Sequence, residues 1–273
     1  MTLYTVTSSF NRANDGNNSD EGSIGVYFNG YLYIFYEKVG ESNSIRYSYS
    51  SDGQVWTEGA KLVTDFGSKS GLVVTKKGNY VFLFYGDTSG SWKVKRLTQN
   101  SDGTLSVDAT YSITSYNQDG LARPFCCTTV NRIWFASVNY DGSNYRVKIL
   151  YSTDNGATWT SLLNDASELG GGGYMPRIAL RSYPPNGDDA IIVVGAKYAQ
   201  WFKYAFVTDS WPGWTNHRGL GDYGNVAIGY WKGKLYWYES ERNGDAAIYY
   251  WENNSWNLAH SFSDPGPYAS FIE

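Results

Sequence analysis

Five stretches of this 273-residue chain repeat one plan, and that repetition limits the fold more than any single residue does. In each, an apolar strand meets a short turn, a strongly aromatic strand follows, and a third strand runs into a tight hairpin. The first and last copies align best, residues 22–36 reading GSIGVYFNGYLYIFY and residues 225–238 reading NVAIGYWKGKLYWY. The copies start near 22, 70, 123, 176 and 225, so they lie 48, 53, 53 and 49 residues apart. That spacing is close to the ~40 to 50 residues of one four-stranded propeller blade. One such sheet cannot bury both of its faces, whereas five stacked around an axis bury each face against a neighbour. The sequence therefore predicts an all-β fold, a β-propeller of five four-stranded blades, with residues 1–273 forming a single domain. A linear β-solenoid is the structural alternative, although its repeats are usually shorter. At the ends, residues 3–10 read as an outer strand and residues 268–272 as the start of another inner strand. Together they either seal the ring or form a partial sixth blade.

Composition suits short strands with aromatics packed between sheets: 25 Tyr, 11 Trp and 30 Gly stand against 7 Pro and 2 His. A formal charge of −4 and the absence of a clustered Lys/Arg stripe argue against nucleic-acid binding. No stretch approaches the ~20 apolar residues of a membrane span, and the first residues lack the basic and apolar regions of a signal peptide. The expectation is a soluble protein without membrane insertion, cytoplasmic or particle-associated. Cys126 and Cys127 are adjacent, so in a strand they point to opposite faces and read as two reduced, buried thiols.

Residues 152–159, STDNGATW, fit the pattern S-x-D-x-G-x-x-W, with Ser152, Asp154, Gly156 and Trp159 at the defined positions. Asp154 can accept backbone hydrogen bonds across a tight turn, Gly156 can take positive φ, and Trp159 can fold its indole beneath the turn. A second copy, with Ser50, Asp52 and Trp56, is one residue shorter between Asp and Trp. The motif resembles the Asp-box of the sialidase and BNR-repeat propellers. The resemblance implies a β-propeller and, on the sialidase side, three arginines, a Tyr–Glu pair and an acidic residue as acid/base. Two candidate arginines are visible at matching repeat positions, and a third is not.

In a propeller of antiparallel blades, the loops leading into first strands share a face with the loops joining second and third strands, and the Asp-box hairpins lie on the other. The first face collects Arg123, Arg177, Tyr174, Tyr198, Tyr223, Glu37, Asp87 and Glu239 as candidate ligand-binding residues. Carboxylates, guanidinium groups and phenols around a concave mouth suit sugars, which offer hydroxyls for planar hydrogen bonds and C–H faces for stacking. Arg123 and Arg177 hold near-equivalent places on first strands. They read either as an anion site for a sialic-acid or uronate carboxylate, or as cations paired with a neighbouring blade. Paired carboxylates ~5 to 9.5 Å apart would suit glycoside hydrolysis, with Asp20, Glu21, Glu37, Asp119, Asp222 and Glu239 as the pool. Residues 15–21 alternate oxygen ligands as a calcium loop does but lack its Gly and distal Glu, and His217 and His260 are too separated for a zinc site or a triad. No metal and no cofactor are expected. The reading is a carbohydrate-recognising, lectin-like module. A glycoside hydrolase of sialidase-like or five-bladed type is one alternative, and a structural module of a phage tail or other viral particle is the other.

Overall fold

The computed structural model describes residues 10–11, 24–38, 40–67, 71–115, 123–140, 145–165, 177–183, 185, 187–196, 201–219, 224–241 and 245–262. Alternating apolar positions and turns with positive φ produce five antiparallel meanders. The first contains β2 (Gly25–Phe28), β3 (Tyr31–Lys38), β4 (Arg46–Ser50) and β5 (Thr57–Glu58). It is preceded by the two-residue β1 (Phe10–Asn11), which also pairs with β3. The second sheet runs β6 (Leu72–Lys77), β7 (Tyr80–Gly86), β8 (Ser91–Gln99) and β9 (Leu105–Ser115). The third runs β10 (Arg123–Thr128), β11 (Ile133–Tyr140), β12 (Tyr145–Ser152) and β13 (Thr160–Asp165). The fourth comprises β14 (Arg177–Ser182), β15 (Ala190–Ala196), β16 (Trp201–Val207) and β17 (Thr215–Gly219). The fifth comprises β18 (Gly224–Trp231), β19 (Lys234–Glu241), β20 (Ala246–Glu252) and β21 (Ser255–Phe262). The first strands of successive sheets, β2, β6, β10, β14 and β18, lie against one another in that order. This is the predicted five-bladed β-propeller. Among the described residues no helix is long and apolar enough to cross a membrane.

The core consists of slabs between neighbouring sheets, fed by the two-residue period of each second strand. On β7, Val81, Leu83 and Tyr85 face the first sheet while Phe82 and Phe84 face the third. On β11, Ile133 and Phe135 face back to the second sheet, and Trp134, Ala136 and Val138 face forward to the fourth. On β15, Ala190, Ile192 and Val194 face the third sheet, and Ile191 and Val193 the fifth. Cys126 and Cys127 divide likewise between the second–third and third–fourth slabs. Burial raises both thiol pKa values, which keeps them protonated.

Hydrogen bonds lock the slabs in register. The Tyr33 hydroxyl donates to the Gly103 carbonyl at 2.7 Å and accepts from Gln99 Nε2 at 2.6 Å, tying the first sheet to the second sheet's last hairpin. Tyr47 accepts from the Leu105 amide at 2.8 Å beside it. At the start of the chain, Phe10 and Asn11 pair with Lys38 and Glu37, on the edge of β3 that β2 also occupies. Of the stretch expected as an outer strand, Phe10 is the described residue, and it pairs with Lys38 of β3. Residues 3–9 and 268–272 lie outside the described residues.

Candidate functional site

Because every sheet is a meander, the ends of the second strands gather on one face and the β-hairpins on the other. Glu37, Asp87 and Glu239 all fall on the first face, but their surroundings differ. Glu37 sits half-buried on β3, and burial raises its carboxyl pKa despite an opposing hydrogen bond from the Asn43 backbone. Asp87 follows β7 and is fully buried. Its Oδ1 accepts from the Ser89 amide at 2.9 Å, the Ser89 hydroxyl at 2.7 Å and the Ser91 amide at 2.8 Å, while Oδ2 meets Lys93 Nζ at 2.8 Å. Burial works against its charged form, but Lys93, the Ser91 amide and Ser89 together outweigh it and lower the pKa. Lys93 also contacts Asp65 at 2.8 Å. Asp87 thus organises the turn between β7 and β8.

Glu239 is different again. It lies on β19 with 0 % exposure, and its Oε2 is 4.0 Å from His217 Nε2 on the neighbouring sheet. A carboxylate taken out of water needs a partner, and the fourth sheet supplies one through a defect in its ladder. The register of β16 with β17 passes from Phe202↔Arg218 to Lys203↔Asn216, leaving His217 as the extra residue of a β-bulge. Bulges re-aim side chains. Here the imidazole lies against sheet five, 4.6 Å from the Trp237 ring and 4.5 Å, edge-on, from the Tyr249 ring. Trp256 stands 5.2 Å from Trp237. The indole N–H groups of Trp237 and Trp256 are buried without a hydrogen-bond partner among the described residues. Carboxylate, imidazole and indole donors among aromatic faces can bind hydroxyls and stack on C–H surfaces, and they can also move a proton.

Arg123 and Arg177 open β10 and β14, opposite Val138 and Gly195. Their backbones occupy matching ends of two adjacent first strands, while their side chains lie outside the described set. Tyr174, Tyr198 and Tyr223 also lie outside the described residues, as do Asp20, Glu21, Asp119, Asp222 and residues 15–21. Among the candidates whose side chains are described, Glu239 is joined to a second titratable group across a blade junction, and that group is one the sequence offered no reason to pair with it. Among the described residues no three His, Cys, Asp or Glu side chains come together as a metal site requires.

The two Asp–Trp hairpins lie on the opposite face. Asp154 accepts from the Thr158 amide at 2.9 Å and hydroxyl at 2.6 Å, and Asp52 accepts from the Gln54 and Val55 amides at 2.7 and 2.9 Å. Ser152 and Ser50 hydroxyls accept from the Gly156 and Gly53 amides, both at 2.9 Å. Gly156 has φ +86, the left-handed conformation that lets the chain reverse. In each hairpin the Trp indole donates to the turn glycine's carbonyl, Trp159 to Gly156 at 2.9 Å and Trp56 to Gly53 at 3.1 Å. These residues are used up in holding their own turns.

The sequence matches no protein-family model and none of the curated proteins. Among solved structures, the chain is similar to an α-L-arabinofuranosidase from Fusarium graminearum in complex with an iminosugar inhibitor. The identity is 14%, the match covers 97% of this chain and 88% of that one, and the TM-score is 0.55. It is also similar to the α-L-arabinanase of Penicillium chrysogenum complexed with arabinobiose, at 12% identity, 94% and 86% coverage and a TM-score of 0.55. A mutant of the Aleuria aurantia lectin in complex with α-methyl-L-fucoside matches at 12% identity, with 88% and 77% coverage and a TM-score of 0.57. At such identities the likeness is one of fold.

Proposed function

We propose that this chain is a carbohydrate-recognising propeller whose ligand enters beside the junction of the fourth and fifth sheets. The observation that carries this reading is the Glu239–His217 pair walled by Trp237, Tyr249 and Trp256. A neutral sugar matches that chemistry: its hydroxyls bond the carboxylate and imidazole, satisfy buried indole N–H groups, and its C–H face covers an aromatic ring. The solved structures of like fold support it, since they hold a fucoside in a lectin and arabinose-based ligands in hydrolases. On this reading residues 1–273 act as one unit. Arg123, Arg177, Tyr174, Tyr198, Tyr223 and Glu37 are carried on this reading as further ligand-binding residues, and the hairpins that resemble Asp-boxes are structural.

A hydrolase is the second reading, and the upward shift of the Glu37 carboxyl on burial is what favours it, because that is the direction in which a general acid's pKa is moved. A glycan array that includes fucosides and arabino-oligosaccharides, run beside chromogenic arabinosides and fucosides, separates the two. The expected result is retention of a neutral glycan without turnover, lost in Glu239→Gln at an unchanged melting temperature. Turnover abolished by Glu37→Gln would establish the enzyme, and an array with no retained glycan together with no turnover would refute both.

A further inference from the structure

The last blade carries the aromatic set by which the first blade is fastened to the second, and leaves part of it in water. In the first sheet Phe28, Tyr33 and Tyr49 lie on the face packed against the second sheet, with Phe28 2 % and Tyr33 1 % exposed. The repeat puts Trp231, Tyr236 and Tyr250 at the same positions of the fifth sheet. Phe28↔Tyr31 and Trp231↔Lys234 close equivalent turns, and Tyr33↔Tyr49 and Tyr236↔Tyr250 are equivalent cross-strand pairs. By parity these rings stand on the face opposite Leu235 and Trp237, which pack on the fourth sheet. Yet Trp231 is 60 % exposed, and none of the three rings joins a core cluster among the described residues.

Exposure on this face falls along the strands. Tyr236 and Tyr250 are half-buried, and Tyr238, one step nearer the mouth on β19, is 5 % exposed. The first sheet's face turned from the second follows the same course: Leu32 and its cross-strand partner Tyr27 are exposed at the hairpin end, Ile34 is half-buried and Tyr36 is buried. These two faces are turned to one another in a five-bladed ring, so the closing junction is shut at the mouth and open as a wedge on the hairpin face. The Trp231 and Tyr236 rings meet there at 6.1 Å and 57°, a corner of two aromatic faces. Lys232 Nζ takes one face of the indole, 4.4 Å from its centroid, and Lys234 is already held by Glu252 at 2.9 Å. At the narrow end the Tyr238 hydroxyl is buried without a hydrogen-bond partner among the described residues, at the position where the first sheet has Phe35. A buried hydroxyl left so is destabilising until a donor or acceptor reaches it.

We infer that this wedge binds a planar aromatic ring bearing one hydrogen-bonding group, a phenol being the simplest case. The ring lies against Trp231 and Tyr236, as rings already lie between the second and third sheets and between the fourth and fifth, and its polar group meets the Tyr238 hydroxyl. Tyr236 and Tyr238 are two residues apart along β19, about 7 Å, which a para-substituted ring spans. A sugar fits less well, because it brings a hydroxyl on most ring carbons and the walls offer one unpartnered buried hydroxyl among apolar surfaces. The site shares no residue with the sugar reading above and does not depend on it.

Saturation-transfer NMR and calorimetric titration of the full chain with p-cresol, toluene and cellobiose test it. The cresol is expected to bind saturably, about fivefold more tightly than toluene, the difference expected of one net hydrogen bond. Trp231→Ala should weaken cresol binding about tenfold, and Trp231→Phe should keep most of the affinity. Tyr238→Phe should bind cresol and toluene equally while its Tm stays at or above that of the parent, because the hydroxyl it removes has no partner to lose. No saturable cresol binding, an affinity unchanged in a folded Trp231→Ala variant, or a preference for cresol that survives Tyr238→Phe would each overturn the assignment. Tighter, Trp231-dependent binding of cellobiose would give the wedge to a glycan and overturn the phenolic class. If Tyr238→Phe does not fold, the parent's own preference decides, since equal affinities for cresol and toluene would be equally fatal.

Discussion

Replacing Trp159 and Trp56 with alanine, one at a time, tests whether the two hairpins are structural and whether their different surroundings set their worth. Both indoles donate to a turn carbonyl, and a hydrogen bond of that kind is worth about 1 kcal/mol net. Only Trp159 also reaches a slab between sheets. Its ring meets Phe84 edge-on at 5.8 Å and Phe135 at 6.2 Å, each such pair adding about 0.5–1.5 kcal/mol. The sum is about 2–4 kcal/mol for Trp159→Ala, at or below the ~3–5 kcal/mol for a fully buried large aromatic because Trp159 keeps part of its surface in water. Trp56 makes no ring contact among the described residues, so Trp56→Ala should cost only about 1 kcal/mol. For a domain of this size the Trp159 loss corresponds to a fall of roughly 4–16 °C in Tm. Thermal melting followed by near-ultraviolet circular dichroism, with urea unfolding to check that the slope is unchanged, reads both variants. Sugar binding should survive in both, because the hairpins lie on the face opposite Glu239. Equal losses at the two sites would refute the packing argument. Loss of sugar binding at an unchanged Tm would refute the structural assignment itself.

Tyr33→Phe removes one hydroxyl but leaves the buried Gly103 carbonyl without its donor, so it should destabilise by about 1–3 kcal/mol in urea unfolding. Arg46, followed by Lys61, holds the Glu41 carboxyl at about 2 against an ordinary value of 4.5. Since the folded value is the lower one, its stabilisation is complete above about pH 4.5 and disappears as pH falls towards 2. Melting curves across that window should therefore flatten in Glu41→Gln. At the blade junction, His217→Leu and Glu239→Leu each remove one side of a buried polar contact, so each should lower Tm. The double variant should melt within about 1 kcal/mol of the parent while binding no sugar.

The fold was legible because its rules are local. Near-continuous apolar runs in β7 and β11 announce strands buried on both faces, and the Asn29-Gly30 and Lys232-Gly233 pairs, all at positive φ, mark the turns that follow β2 and β18. First strands begin at Gly25, Leu72, Arg123, Arg177 and Gly224, against repeat starts read at 22, 70, 123, 176 and 225. The candidate site was harder to read because it depends on tertiary detail. Asp87 looks like a mouth residue in sequence, yet Lys93 and the turn amides enclose it. His217 looks isolated, since no local pattern announces that it is the extra residue of a bulge.

Parity explains why the polar pair arises at one blade junction. Glu37 follows Tyr33 and Phe35 at two-residue steps, so it shares the face that meets the second sheet. Glu239 follows Leu235 and Trp237 in the same way, and that face looks back to the fourth sheet. A shift of one residue along the second strand thus turns a carboxylate from the following blade to the preceding one. The fourth strands add the complement. Bulges recur there, skipping Asp108 and Ile113 in β9, Leu162 in β13, His217 in β17 and Ala259 in β21. Leu162 packs against the slab shared with the next sheet, which is where a bulged residue of this kind points. His217 has the same placement with a titratable ring, and the following blade offers it Glu239. Asp108 is taken by Arg96 at 2.5 Å within its own sheet, and Ile113, Leu162 and Ala259 carry no charge. Among the described residues, the fourth–fifth junction combines a forward-pointing imidazole with a backward-pointing carboxylate. An otherwise apolar repeat acquires a polar centre there from two residue choices and no change in backbone plan.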